Sequence, residues 1–247
     1  MAILTTQRKE DGNEEGIFEI LRQEIIDLKL KPGEIMSIKE ICDHYDVGRS
    51  PARDALIHLE MEGLITFLPQ RGTMISKIDL DRATQEHFLR ASVEENVMKE
   101  FMASHTSCEI NRLETLLWEQ EACISSGDTR KLLELDDVFH QVFYEITDRL
   151  FCFSVIKSMS GHYRRVRLLT CMNRDVAKQV VKEHGEILVA LRTRDMEALL
   201  DAFDRHINRL SIQRKWLYGA YPELFVRNTT GENQRDSLNT DFLKTLI

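Results

Sequence analysis

Residues 30–76 read LKPGEIMSIKEICDHYDVGRSPARDALIHLEMEGLITFLPQRGTMIS, and this stretch decides the fold. It opens on a turn signal, Lys31-Pro32-Gly33. Upstream, Ile17, Leu21, Ile25 and Leu28 recur at helical spacing, so one helix is expected to end at that turn. Ser37-Ile38-Lys39-Glu40 has the S-x-x-E form of a capping box and starts a second helix, which carries Ile38, Ile41 and Cys42 inward. Asp46-Val47-Gly48 is a short turn. A third helix begins between Gly48 and Pro51, since proline is tolerated in a first turn, and buries Ala52, Ala55, Leu56 and Leu59. Gly63 stops it. Leu64–Leu68 and Thr73–Ile78 then read as strands around the turn Pro69-Gln70-Arg71-Gly72. Two helices, a turn, a third helix and a two-stranded ribbon make a winged helix-turn-helix.

Such a motif places the start of its last helix in the major groove. Arg49 and Arg53 lie there, one turn apart and off the apolar stripe. An arginine fork matches O6 and N7 of guanine, a contact worth about 1–3 kcal/mol of discrimination. Ser50 and the first-turn backbone N–H groups suit a phosphate oxygen. Lys39 is placed to reach a phosphate or base edge, and Arg71-Gly72 form the wing tip, where Arg71 can enter the minor groove. Bulk charge lends no help. The net charge is −8, and residues 1–78 hold ten Lys/Arg against fourteen Asp/Glu. A DNA reading therefore rests on a few placed arginines.

This frame resembles the N-terminal domain of GntR-type bacterial transcriptional regulators. The resemblance is carried by Pro32-Gly33-Glu34, by Val47-Gly48-Arg49-Ser50-Pro51-Ala52-Arg53-Asp54-Ala55-Leu56, by Leu59-Glu60, by Glu62-Gly63-Leu64-Ile65 and by Arg71-Gly72. Gly48 and Ala52 depart from the family's usual Ser and Val.

Outward from the motif the punctuation changes. The chain has 247 residues, enough for two domains. No proline occurs from Gln70 to Tyr221, and after Gly72 that span has only Gly127, Gly161, Gly185 and Gly219, so it is expected to be all helix. The boundary is set at residue 78. Residues 1–78 are read as the DNA-binding domain, 79–220 as an antiparallel all-α bundle, and 221–247 as a tail that is either disordered or docked. Six helices are expected in the bundle, near 81–104, 106–125, 128–146, 150–170, 174–192 and 195–217. No apolar run approaches the length needed to span a bilayer, and no secretion signal is visible. The five cysteines are odd in number and form no CxxC pair. A reducing, cytoplasmic setting is expected.

Ionisable residues fall on apolar faces of this half. Asp136 and His140 share a stripe with Leu132, Leu133, Phe139 and Phe143; His184 with Ile187, Leu188 and Leu191; His206 with Leu199, Phe203 and Leu210. A single core histidine is ordinarily hydrogen-bonded to a neighbour. Four such groups on three helices of one bundle are most simply joined by a divalent metal, with zinc the default and nickel or manganese open. His44, His58, His87, His105 and His162 do not join this pattern and are read as surface or locally bonded. Of the basic cluster His162, Tyr163, Arg164, Arg165 and Arg167, one or two are expected to line a pocket and most to face solvent or a subunit contact. Arg90 also lies on an apolar stripe, either as a clamp for an effector carboxylate or as an ion pair with Glu94 or Asp136.

The D-x-x-x-H of Asp136 and His140, the later Glu183-His184, the final His206 and the opening R-x-x-x-E of Arg90 and Glu94 resemble the FCD effector domain of the FadR branch of the same family. The resemblance implies a metal held by the Asp and three His beside a small-molecule pocket. The resulting expectation is a homodimeric regulator, a repressor by default, that binds a palindromic double-stranded operator and answers to a small organic acid. Two other classes compete. One is a metal-dependent hydrolase fused to a winged helix, for which no separate general base or second metal site is visible. The other is a regulator that senses the metal itself.

Overall fold

In a computed structural model, which describes residues 14–208 and 214–226, local chemistry builds the head as the pattern demands. Helix α1 (Glu14–Ile26) buries Ile17, Leu21 and Ile25. It ends before the proline turn because Leu28 takes a left-handed conformation (φ 57°) and Lys29 N–H bonds back to Glu24 O at 2.9 Å. The Leu28 side chain packs against the core of the other domain. Helix α2 (Ile38–Tyr45) carries the reciprocal capping box, with Ser37 accepting from Glu40 N–H and Glu40 from Ser37 N–H. Helix α3 (Arg49–Met61) starts at Gly48 and buries Ala52, Ala55, Leu56 and Leu59; the two alanines let α1 and α3 pack closely.

The wing has one more strand than the sequence shows. β2 (Ile65–Leu68) and β3 (Gly72–Ile75) pair antiparallel, and the short β1 (Ile35–Met36) adds to the other edge of β3, giving the order β1-β3-β2. Gly72 is required at that edge. Its φ is +112°, and a side chain there would place Cβ 2.6 Å from Met36 O.

The second domain is helical throughout its described residues: α4 (Leu80–Ser104), α5 (Ser107–Ser126), α6 (Thr129–Ile146), α7 (Leu150–Met159), α8 (Gly161–Cys171), α9 (Arg174–Thr193), α10 (Met196–Asn208) and α11 (Arg214–Ala220). Side-chain caps explain the starts: Asp79, Thr106, Asp128 and Asn173 each accept from first-turn N–H groups. One expectation needs correction: the helix expected over 150–170 is broken at Ser160 into α7 and α8. Of the last helix, expected over 195–217, Met196–Asn208 and the residues from Arg214 on are helical, and 209–213 lie outside the described residues.

Of the segment 221–247, residues 221–226 are described and return to the domain boundary. Phe225 is fully buried and bridges Ile78 in parallel, with Ile78 N–H donating to Leu224 O and Val226 N–H to Ile78 O, each at 2.9 Å. The expectation for 227–247 lies outside the described residues.

Candidate functional site

The bundle brings Asp136 and His140 of α6, His184 of α9 and His206 of α10 together. One ligand atom from each lies within 4.8 Å of the others, and all four residues are buried. His140 Nε2 is 3.1 Å from His206 Nε2 and 3.8 Å from an Asp136 carboxylate oxygen; His184 Nε2 is 3.5 Å from Asp136 Oδ1.

The outer nitrogens define the tautomers. His140 Nδ1 meets a carboxylate oxygen of Glu94. Burial pushes the Glu94 carboxyl up, but His140 and Arg90 outweigh it and hold the group well below the usual carboxylate range, so His140 must donate. His184 Nδ1 is 2.6 Å from Gln120 Oε1, while the Gln120 amide N–H donates to Leu135 O, so the Gln120 oxygen accepts from His184. His206 Nδ1 faces Glu183 Oε2 at 3.6 Å. With Nδ1 of His140 and His184 donating outward, their Nε2 atoms turn inward toward the Asp136 carboxylate and His206 Nε2. His184 Nε2 has no hydrogen-bond partner among the described residues. Burial holds His184 and His206 below the ordinary imidazole range, with the neighbouring imidazoles adding to the effect. The N₃O donor set of Asp136, His140, His184 and His206 is of the kind that suits a divalent metal of the first transition row.

Asp136 is oriented by a member of the basic cluster on α8. Arg167 is buried, not solvated, and donates to Asp136 Oδ2 and, at 2.9 Å, to Asp137 Oδ1; Arg164 holds Asp137 Oδ2 at 2.7 Å. Burial raises Asp136, but Arg167, then His140 and His184, bring its carboxyl far below the usual range. Arg165 is fully buried too, donating to Gly161 O and to Ser76 O of the domain boundary at 2.7 Å. The only sequence trace of Arg164 and Arg167 is their helical i,i+3 spacing. Gln120 and the role of Glu183 had no trace at all, because their partners are 64 and 23 positions away.

Arg90 adopts the second of its two readings. Its Nε donates to Glu94 at 2.9 Å, with Asp136 at 3.9 Å from Nη2. Arg90, Tyr144, Tyr163, Arg164 and Arg167 nevertheless line a narrow recess beside His140 that opens partly to solvent. The remaining buried histidines are locally bonded: His87 to Ile207 O, His105 to Phe101 O, and His162, which accepts from Asp79 N–H at 3.0 Å.

On the head, Lys39, Arg49, Ser50, Arg53 and Arg71 are all exposed. Among the described residues none of these four cations has an ion-pair partner, although ion pairs are common elsewhere in the molecule. Ser50 Oγ turns to Asp54 at 3.4 Å, leaving the backbone N–H groups of that turn outward. Gly72 serves the close approach to Met36 and has no side chain to offer a nucleic acid.

A start of α3 with unpaired arginines, backed by a wing and joined to a helical bundle, is also what comparison with known proteins returns. The family "Bacterial regulatory proteins, gntR family" matches residues 13–75, and the FCD domain matches residues 87–209. The HTH-type transcriptional repressor RspR of Escherichia coli K12 is 30% identical over 195 residues, covering 79% of this chain and 86% of that protein. The chain belongs to the GntR family. It is a DNA-binding transcriptional regulator with a GntR head and an FCD domain. A further GntR-type relative, an HTH-type regulator in an unstable DNA locus of Streptomyces ambofaciens, is 28% identical over 87% of this chain and 90% of its own length. Among solved structures, E. coli McbR/YncC has a TM-score of 0.71 at 15% identity, covering 84% of this chain and 98% of that one. A GntR regulator from Rhodococcus sp. RHA1 has a TM-score of 0.70 at 21% identity over the same shares. These two speak to the fold. The matched families are regulators and not enzymes, which sets the hydrolase reading aside. No helix among the described residues is long and apolar enough to cross a membrane.

Proposed function

We propose that this GntR regulator is a homodimeric, cytoplasmic repressor that binds a palindromic operator and changes its operator affinity when a small organic acid binds beside a divalent metal. Asp136, His140, His184 and His206 hold the metal, zinc in the first instance. The observation that carries the reading is the convergence of one ligand atom from each of three imidazoles and a carboxylate, all within 4.8 Å of one another in the buried core. Four protein ligands leave room on a five- or six-coordinate ion, and the recess beside His140 lets a small carboxylate fill it. Arg164 and Arg167 line the same recess, so the acid competes with Asp137 for their guanidinium groups.

A second copy of the chain is supported by apolar side chains exposed on two adjacent helices: Phe88 and Leu89 on α4, and Leu150, Phe151, Val155 and Met159 on α7. Two heads on a two-fold axis match two half-sites.

Elemental analysis of the purified protein tests the metal. Close to one ion per chain is expected, and none in His184→Ala. Full occupancy in that variant sinks the ligand set. A gel-shift titration with and without candidate acids tests the effector.

A further inference from the structure

Three consecutive head residues, Glu62, Gly63 and Leu64, join the recognition helix α3 to the wing, and all three rest on the α7–α8 break. Glu62, the C-cap of α3, is bound by Arg22 Nε at 2.6 Å, and Nη2 of the same arginine donates to Lys157 O in the last turn of α7, also at 2.6 Å. Arg22 is buried, so neither bond is a loose surface contact. Gly63 lies against His162. Leu64 touches the first residue of α8 so closely that a side chain on Gly161 would put its Cβ 2.6 Å from Leu64 Cδ2. The same break forms the wall of the recess in the bundle, through Ile156, Lys157, Ser160 and Tyr163.

We propose that the break between α7 and α8 transmits the state of the bundle to the recognition helix, with Arg22 and Gly161 as the positioning residues that seat the head on it. A ligand that shifts residues 156–163 pulls on the carbonyl that Arg22 holds and on the surface under Leu64. The end of α3 then moves with its C-cap. Among the contacts that join head and bundle, the bifurcated Arg22 and the van der Waals seat of Leu64 on Gly161 differ in chemistry and fail in different ways. This coupling rests on the reading above of an acid-responsive bundle that holds a metal, with removal of the metal as the change of state the test imposes, but the seat itself does not.

The test uses the full chain. Gly161→Ala replaces glycine by a better helix former, so α8 is kept and the head is displaced. Arg22→Ala removes the polar link instead and leaves the helices as they are. Hydrogen–deuterium exchange is expected to rise in residues 58–66 and 155–161 together in both variants, with zinc content unchanged. The double variant Gly161→Ala/Leu64→Val, which withdraws the clashing methyl, is expected to restore protection. Operator affinity is then measured for zinc-loaded and chelator-stripped protein on a site selected by the wild type. The ratio of the two affinities is expected to fall toward one in both single variants, from a wild-type value of about 5–150-fold, the range of ordinary allosteric coupling. Exchange that rises on one side of the junction only overturns the proposal, as does a wild-type ratio in both variants. A ratio of one in the wild type itself counts against the metal-responsive reading, and the exchange result alone then decides the junction.

Discussion

Arg49 and Arg53 in the head and Arg164 and Arg167 in the bundle are the same residue type at similar helical spacing, in opposite circumstances. The first pair stands in solvent with no carboxylate partner among the described residues. The second is buried against Asp136 and Asp137. An exposed guanidinium keeps its hydration and its charge until an outside anion arrives. A buried one is tolerable only because its partner came with the fold. The head thus carries cations meant for another molecule, and the bundle carries cations that shape an internal site. Net charge reports neither, which is why a chain of charge −8 binds DNA.

That contrast can be broken at its buried end first. Arg167→Met leaves Asp136 and Asp137 short of a counter-charge, and loss of one partner of a buried pair costs about 3–5 kcal/mol. Urea unfolding should show it; a loss under about 1 kcal/mol would mean water reaches the pair.

Next comes pH. Burial, reinforced by Arg165, depresses the His162 imidazole from its ordinary 6.5 to about 4. The unfolded chain therefore binds a proton below about 6.5 that the folded chain refuses, and the contribution of His162 to stability is intact above that pH and lost as pH falls toward about 4. The difference between wild type and His162→Asn in unfolding free energy is expected to change by about 2–3 kcal/mol between pH 7 and pH 4.5. The buried Asp136, Glu94, His184 and His206 titrate in both proteins and cancel. A pH-independent difference would remove His162 from the account.

At the exposed end, Arg49→Ala or Arg53→Ala is expected to lose about 1–3 kcal/mol of operator discrimination, a factor of roughly 5–150, with thermal stability and metal content unchanged. Unchanged operator affinity in a gel-shift titration would refute the assignment. The smallest effect sharpens the comparison by leaving both sets of arginines alone. Ser37→Ala removes one capping bond of α2 and should cost about 1 kcal/mol of head stability. It should leave the metal content of the bundle untouched.

Local patterns carry their own evidence, and these were legible. The capping box at Ser37, the apolar stripe of α3 and the stop at Gly63 each lie within a few residues of their partners, so the head could be read off almost to its ends. The clustered residues Asp136, His140, His184 and His206 were legible for a different reason, as polar groups on apolar faces. What could not be read was whatever depended on distant partners. β1 exists only because β3 offers an edge. The break at Ser160 exists where the head sits on the bundle; its one local sign, the Ser160-Gly161 pair, is too weak to stop a helix by itself. The burial of Arg165 and Arg167 follows from Ser76 and Asp136 arriving from elsewhere in the chain.

By itself, then, the order of residues determined the winged head, the helical character of everything after it and the identity of four inward-facing polar groups, because period, caps and turn residues act over one or two turns of chain. The folded structure alone decided that three imidazoles and Asp136 meet, which arginines are shielded from water, and that the recognition helix ends on the wall of the recess beside His140. Those features are set by contacts between segments up to 135 residues apart, whose meeting depends on how the helices pack and on no local signal.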